Sequence, residues 1–170
     1  MNKLIKSTLF SLCLILQVHA TDIEVGFSPE GTAQTLILKV INNARSSIKL
    51  SGYSFTSPVI VKSLLNAKRR GVKIEIVVDE KSNRSKNSKI ALRLIKDSNI
   101  EVRTTNLYAI HHDKFIITDG ENLQTGSFNY SKAAAERNSE NVIVVWHNKE
   151  VANKYLRHWE SRFNNGINYQ

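Results

Sequence analysis

The chain has 170 residues, with 24 Lys and Arg against 15 Asp and Glu, a formal net charge of +9 and 41% hydrophobic residues. These values fit one globular domain with a single core, and a lone cysteine, Cys13, excludes an internal disulfide framework.

Residues 1–20 stand apart. Lys3 and Lys6 make a basic start, residues 9–16 an apolar centre, and Val18-His19-Ala20 a small-x-small-like cleavage signal, the pattern of a secretory signal peptide. The apolar run is short for crossing a bilayer. Cleavage near Ala20 is therefore expected, giving a periplasmic or secreted domain over 21–170 with no stable membrane anchor. Cleavage removes Cys13 and two lysines, leaving 22 cations against 15 acids, a net charge of +7, and no thiol to hold a metal or act as nucleophile. A polyanion is a fitting partner for such a surface.

The domain opens with an alternating strand over 23–27, punctuated by Pro29-Glu30-Gly31. Ala33, Leu36, Ile37, Val40, Ile41 and Ala44 then recur at helical spacing, as one apolar stripe that packs on a sheet. A strand is expected over 47–55. Pro58 suits a helix start, and Ile60, Leu64, Leu65 and Ala67 lead to Gly71 as the stop, with Lys68-Arg69-Arg70 as a cap that complements the helix dipole. Five of residues 72–78 are Val or Ile, which predicts a strand buried on both faces.

A Ser/Asn-rich stretch follows, carrying Lys81, Arg84, Lys86, Lys89 and Arg93 into a helix that continues through 90–95. Ligands of α/β folds gather at the carboxyl ends of strands, so Lys81, Arg84, Lys86 and Lys89 are candidates for contacting a phosphate backbone. Strands are expected over 100–104, 114–118 and 122–126, the last two joined as a hairpin by Asp119-Gly120. Another apolar strand over 142–146 and a closing amphipathic helix over 151–163 complete the chain, with Trp146 and Trp159 read as core. The predicted class is α/β, an α/β/α sandwich around a mixed, largely parallel sheet.

Across the hairpin the residues read H-x-K-x(4)-D-x(6)-G-S-x-N, from His112 to Asn129, and Ser-Glu-Asn-Val follows with Glu140. Imidazole attacks phosphorus at neutral pH without prior activation by a metal, so His112 is the candidate nucleophile. Lys114 lies two residues on, which on a strand puts its ammonium on the same face, where it would neutralise phosphoryl oxygens. Asp119 sits in an Asp-Gly turn and is expected to be structural. His111 should point to the opposite face. His147, His158 and His19 show no partner pattern, and no His/Cys or acidic cluster suggests zinc or magnesium, so neither a metal nor a cofactor is expected.

The pattern resembles the phospholipase D superfamily, whose signature is this His-Lys-Asp motif followed by a Gly-Ser and Asn element. Tyr53-Ser54-Phe55-Thr56 ahead of a helix, Gly71-Val72 opening a strand, and Ala133-Ala134 through Glu140-Asn141 extend the resemblance to small, single-motif bacterial endonucleases of that superfamily, over about residues 22–164. The resemblance implies catalytic roles for His112, Lys114, Ser127, Asn129 and Glu140. Ser127 and Asn129 would contact the phosphate, and Glu140 would orient the imidazole. One motif stands where larger relatives carry two, which implies a homodimer joining two His112 side chains.

The expected activity is hydrolysis of DNA through a phosphohistidine, with RNA open as a further substrate. A lipid phosphodiesterase would use the same residues and stays open as an alternative, as does a nucleic-acid-binding protein with a vestigial site. Against the lipid reading, the sequence shows no apolar lid or exposed amphipathic interfacial helix.

Overall fold

The computed structural model describes residues 21–170, so the expected signal segment, Cys13 and His19 lie outside the described residues. In chain order the elements are β1 (Asp22–Ser28), α1 (Thr32–Asn43), β2 (Ser47–Gly52), α2 (Pro58–Arg69), β3 (Lys73–Asp79), a 3-10 turn (Lys81–Asn83), α3 (Lys86–Asp97), β4 (Glu101–Thr105), β5 (Phe115–Thr118), β6 (Asn122–Gly126), α4 (Lys132–Glu136), β7 (Glu140–Trp146), α5 (Lys149–Asn164) and β8 (Ile167–Asn168). Local chemistry sets several of their ends. The Ser57 hydroxyl accepts the Ile60 N–H with Pro58 at the first turn of α2, and Ser85 and Asn148 cap α3 and α5 in the same way. Gly71, at φ 91°, closes α2 in the left-handed region that a side chain would strain.

The eight strands of the described residues form one sheet in the order β1-β7-β6-β5-β2-β3-β4-β8. Helices cover both faces, so the α/β/α sandwich holds. The sheet is mixed, but its parallel share is smaller than expected: only β2-β3 and β3-β4 run parallel, and the other five pairings are antiparallel. The βαβαβ half supplies the parallel strands through its crossover helices, whereas β5 and β6 are joined by a tight turn and β7 returns antiparallel to β6 after the connection through α4.

Alternation along β3 explains its two-sided burial. Ile74, Ile76 and Val78 face α1 and α2 with Ile37, Ile41, Ile60 and Leu64, while Val77 faces α5 with Phe115, Ile117, Leu123, Trp159 and Phe163. Truncating a side chain such as Leu50 or Ile76, both fully buried, costs about 2–5 kcal/mol. Both tryptophans are core residues. Trp159 donates its indole N–H to the Leu50 carbonyl at 3.0 Å, and Trp146 donates to Glu24 at 2.7 Å.

Two expected strands are shorter than the sequence suggests. β2 ends at Gly52 rather than at 55, because beyond it the Phe55 N–H bonds to the Asn83 side chain at 2.9 Å, and the N–H groups of Thr56 and Ser57 go to the Tyr130 carbonyl. β5 starts at Phe115, so His112 and Lys114 precede it in an irregular segment.

Candidate active site

The carboxyl ends of β2 and β3 receive the irregular segment that carries the motif, and each of its residues is fixed by a different partner. The His111 N–H donates to Asp79 Oδ2 at 2.8 Å, and its buried ring meets the Ser51 hydroxyl through Nε2 at 2.8 Å. Asp113 turns the other way, where its Oδ2 lies 2.8 Å from His158 Nε2 on α5 and 3.6 Å from His111 Nδ1. Lys114 folds back, its Nζ donating to the His112 carbonyl at 2.7 Å. These anchors leave the His112 side chain to project alone.

Because β5 begins only at Phe115, strand alternation does not apply to this pair. His112 and Lys114 do not share a strand face; they converge on Tyr53. The His112 imidazole meets the Tyr53 ring edge-on with centroids 4.5 Å apart, and Lys114 Nζ stands 5.2 Å from the same ring's centroid. A lysine above an aromatic face gains cation–π attraction without a neutralising carboxylate, and so stays available to a phosphate. Burial pushes the Lys114 ammonium below its ordinary value of 10.5, against the pull of Asp113 and Glu140. Among the described residues the imidazole of His112 makes this ring contact and no hydrogen bond.

Ser127 and Glu140 meet across the β6–β7 junction. The Ser127 hydroxyl donates to Glu140 Oε2 at 2.5 Å and accepts the Asn141 N–H at 3.0 Å, while Asn138 donates its amide to Glu140 Oε1 at 2.9 Å. Within one chain the Glu140 carboxylate is thus occupied by Ser127 and Asn138 rather than by imidazole. Gly126 makes this junction possible. At φ 150° its backbone lies so close to β7 that a Cβ there would overlap the Asn141 carbonyl oxygen. Asn129 presents a buried Oδ1 with no donor among the described residues, an acceptor that a substrate or a second chain can satisfy.

Asp119 belongs to a different part of the molecule. Its carboxylate accepts the N–H groups of Arg45, Ser46 and Ser47 and the Ser46 hydroxyl, stapling the hairpin to the α1–β2 connection. β5 separates it from the motif: five residues at about 3.3 Å each put it roughly 16 Å from Lys114. Its partner is the neighbouring connection as much as its own turn.

The basic stretch divides. Lys81 and Arg84 lie near the carboxyl end of β3, with Arg84 held by Glu80 at 2.6 Å, while Lys86, Lys89 and Arg93 continue along exposed α3 away from that edge. The expectation that no exposed amphipathic helix exists does not hold: Ile90 and Leu94 on α3 are 51% and 50% exposed.

Three features escaped the sequence reading. Tyr53 forms a wall of the site, although nothing local marks an aromatic residue after a strand as more than core. The His158–Asp113 pair spans 45 residues and leaves no spacing signature. Asp79, at the end of β3, was open to inference, since strand carboxyl ends are where site residues of α/β folds collect. The described residues contain no group of three His, Cys, Asp or Glu side chains able to hold a metal ion, and no helix long and apolar enough to cross a membrane.

Comparison with known proteins adds to this geometry. A family model described as "cardiolipin synthase, PLD-like domain" matches residues 37–163. A phospholipase D family member, Nuc from Salmonella typhimurium, has a solved structure that superposes with a TM-score of 0.88 at 44% identity, covering 89% of this chain and 99% of that one. NucT from Helicobacter pylori superposes with a TM-score of 0.79 at 25% identity, over 88% of this chain and 100% of its own. A protein named phospholipase D from Rickettsia bellii is 36% identical over 148 residues, 87% of this chain and 72% of that protein.

Proposed function

The chain belongs to the phospholipase D superfamily and is a phosphodiesterase of that class, and from this premise we propose that it is an exported, sequence-nonspecific endonuclease that cuts DNA, and RNA as well, through a phosphohistidine intermediate. The observation that carries the reading is the convergence of His112 and Lys114 on Tyr53, in a chain that is similar along almost its whole length to structures named Nuc and NucT. A net charge of +7 without residues 1–20 supports a polyanionic substrate, and the signal-like pattern in those residues supports export.

The reaction takes two displacements. His112 attacks phosphorus, forming a P–N bond as one P–O bond breaks, and the leaving oxygen takes a proton from a general acid. Water then attacks the phosphohistidine and restores the imidazole. Lys114 offsets charge on the phosphoryl oxygens, while the Asn129 amide supplies a neutral donor to the crowded phosphorus centre and the Ser127 hydroxyl does so on turning from Glu140. One motif gives one imidazole, so the second catalytic proton carrier comes from His112 of a second copy across a two-fold axis. The unbonded His112 ring and the donorless Asn129 Oδ1 support a site completed in this way.

Digestion of plasmid DNA in excess EDTA, with His112→Ala run beside the wild type, tests the proposal. Nicking by the wild type alone supports it. The name of the Rickettsia relative favours head-group release from phospholipid as the second reading. That activity, found in the absence of DNA cleavage, would replace the first.

A further inference from the structure

Helix α3 buries one side and offers another to solvent for which the catalytic site has no use. Ser88, Ala91, Leu92 and Ile95 pack inward, while Ile90 and Leu94, one turn apart, form an exposed apolar stripe. Around that stripe stand Arg84, Lys86, Lys89 and Arg93, with Asp97 at its far end, and together they enclose a shallow hollow of about 540 Å³.

We infer that this face of α3 docks the protein on a membrane surface containing anionic lipid. Three occupants compete for such a face, and the residues separate them. A second copy would bring the same four cations against these, so like charges oppose self-association. A nucleic-acid backbone rewards the cations but leaves Ile90 and Leu94 against a charged, hydrated partner. Only a lipid interface rewards both: the two apolar side chains enter the acyl boundary while the long Lys and Arg side chains reach phosphates at the head-group level. Charge complementarity thus selects an anionic surface, and the apolar stripe selects lipid. Two half-exposed side chains on a rigid helix give weak, reversible binding that depends on anionic lipid and fades with salt. Docking does not depend on which phosphodiester is cut. It would hold the catalytic edge, where α3 begins, beside the surface.

Vesicle co-sedimentation tests the inference, using the chain from Thr21 to Gln170, which contains the whole described core. The vesicles are phosphatidylcholine alone or with 30 mol% phosphatidylglycerol. The wild type is expected to sediment with the anionic vesicles and not with the neutral ones. Reversing Lys89 and Arg93 to Glu is expected to weaken binding by at least about 25-fold, because each cation near such a surface contributes roughly fivefold. Ile90→Ser with Leu94→Ser is expected to weaken binding about tenfold or more, while hydrolysis of a small soluble phosphodiester stays unchanged.

A direct readout comes from Leu94→Trp, whose emission should shift to the blue on anionic vesicles and stay unmoved with duplex DNA. It decides the question even if the serine variant fails to fold. Failure of the wild type to bind anionic vesicles, or wild-type binding by the serine variant, overturns the inference. An equal blue shift with DNA also overturns it, by making this face a nucleic-acid surface.

Discussion

Replacing Asp119 separates the two ends of the motif by their jobs. Its carboxylate accepts three backbone N–H groups, from Arg45 at 3.0 Å, Ser46 at 2.7 Å and Ser47 at 3.0 Å, and its own backbone sits at φ 56°, a region Asp and Asn tolerate better than Ala. Hydrogen bonds to an ionised group are worth about 1.5–3 kcal/mol when dry, but most of these face solvent and water takes them over in part, so about 1 kcal/mol each is a fair value. Adding about 1 kcal/mol for Ala in the left-handed region gives roughly 4 kcal/mol for Asp119→Ala, a fall in Tm of about 8–16 °C for a domain of this size. Asp119→Asn keeps the backbone preference and one acceptor, and should cost about 1–2 kcal/mol.

The pH dependence has a definite sign. Burial opposes ionisation of Asp119, yet the N–H groups of Ser47, Ser46 and Arg45 override it and hold the carboxyl below its ordinary 3.8. Its stabilisation is therefore fully present above about pH 4 and is lost as pH falls through the lowered value, so the gap between the wild type and Asp119→Asn should close on acidification. Circular-dichroism melts at pH 7 and below, paired with turnover at a temperature where both proteins are folded, make the test. A Tm within about 2 °C of the wild type for Asp119→Ala, or lost turnover by a folded Asp119→Asn, would refute the reasoning.

Other substitutions probe the site itself. Lys114→Met should lower turnover about 10²–10³-fold while leaving the fold intact, as steady-state kinetics and a melt would record, because it removes a charge held over Tyr53. Gly126→Ala has no room beside the Asn141 carbonyl, so it should destabilise the domain by several kcal/mol, or about 10 °C, and reduce activity by moving Ser127 away from Glu140. Burial pushes the His111 imidazole below 6.5, against the pull of Asp113 and Asp79. Its stabilisation is then present above pH 6.5 and lost as pH falls through the lowered value, so urea midpoints should drop on mild acidification, and His111→Gln should flatten that slope.

The parts of the fold legible in the sequence are those with a local period or a local stop. The stripe from Ala33 to Ala44, the Ser57-Pro58 start of α2 and the Val/Ile run of β3 each carry their structure within a dozen residues. The balance of parallel and antiparallel pairing was not legible, because β1 pairs with β7 across more than a hundred residues, and no local pattern encodes that register. At the site the chemistry-bearing types stood out by spacing, yet their arrangement depends on Tyr53, Asp79 and His158, whose contacts are tertiary. The exposure of Ile90 and Leu94 was not legible, because a helical pattern over 90–95 does not say which apolar side chains pack inward. Their exposure follows from Ala91, Leu92 and Ile95 already filling the inward side.

The central claim is a covalent bond from phosphorus to His112, and trapping it tests that claim most directly. The protein is mixed with excess single-stranded oligonucleotide, quenched within the first turnover in alkaline denaturant, where a P–N bond survives, and measured by intact mass and peptide mapping. A transient adduct carrying one product fragment on His112, absent from His112→Ala, is the expected result. Product formed during that first turnover with no adduct, or with the adduct on another residue, would contradict it.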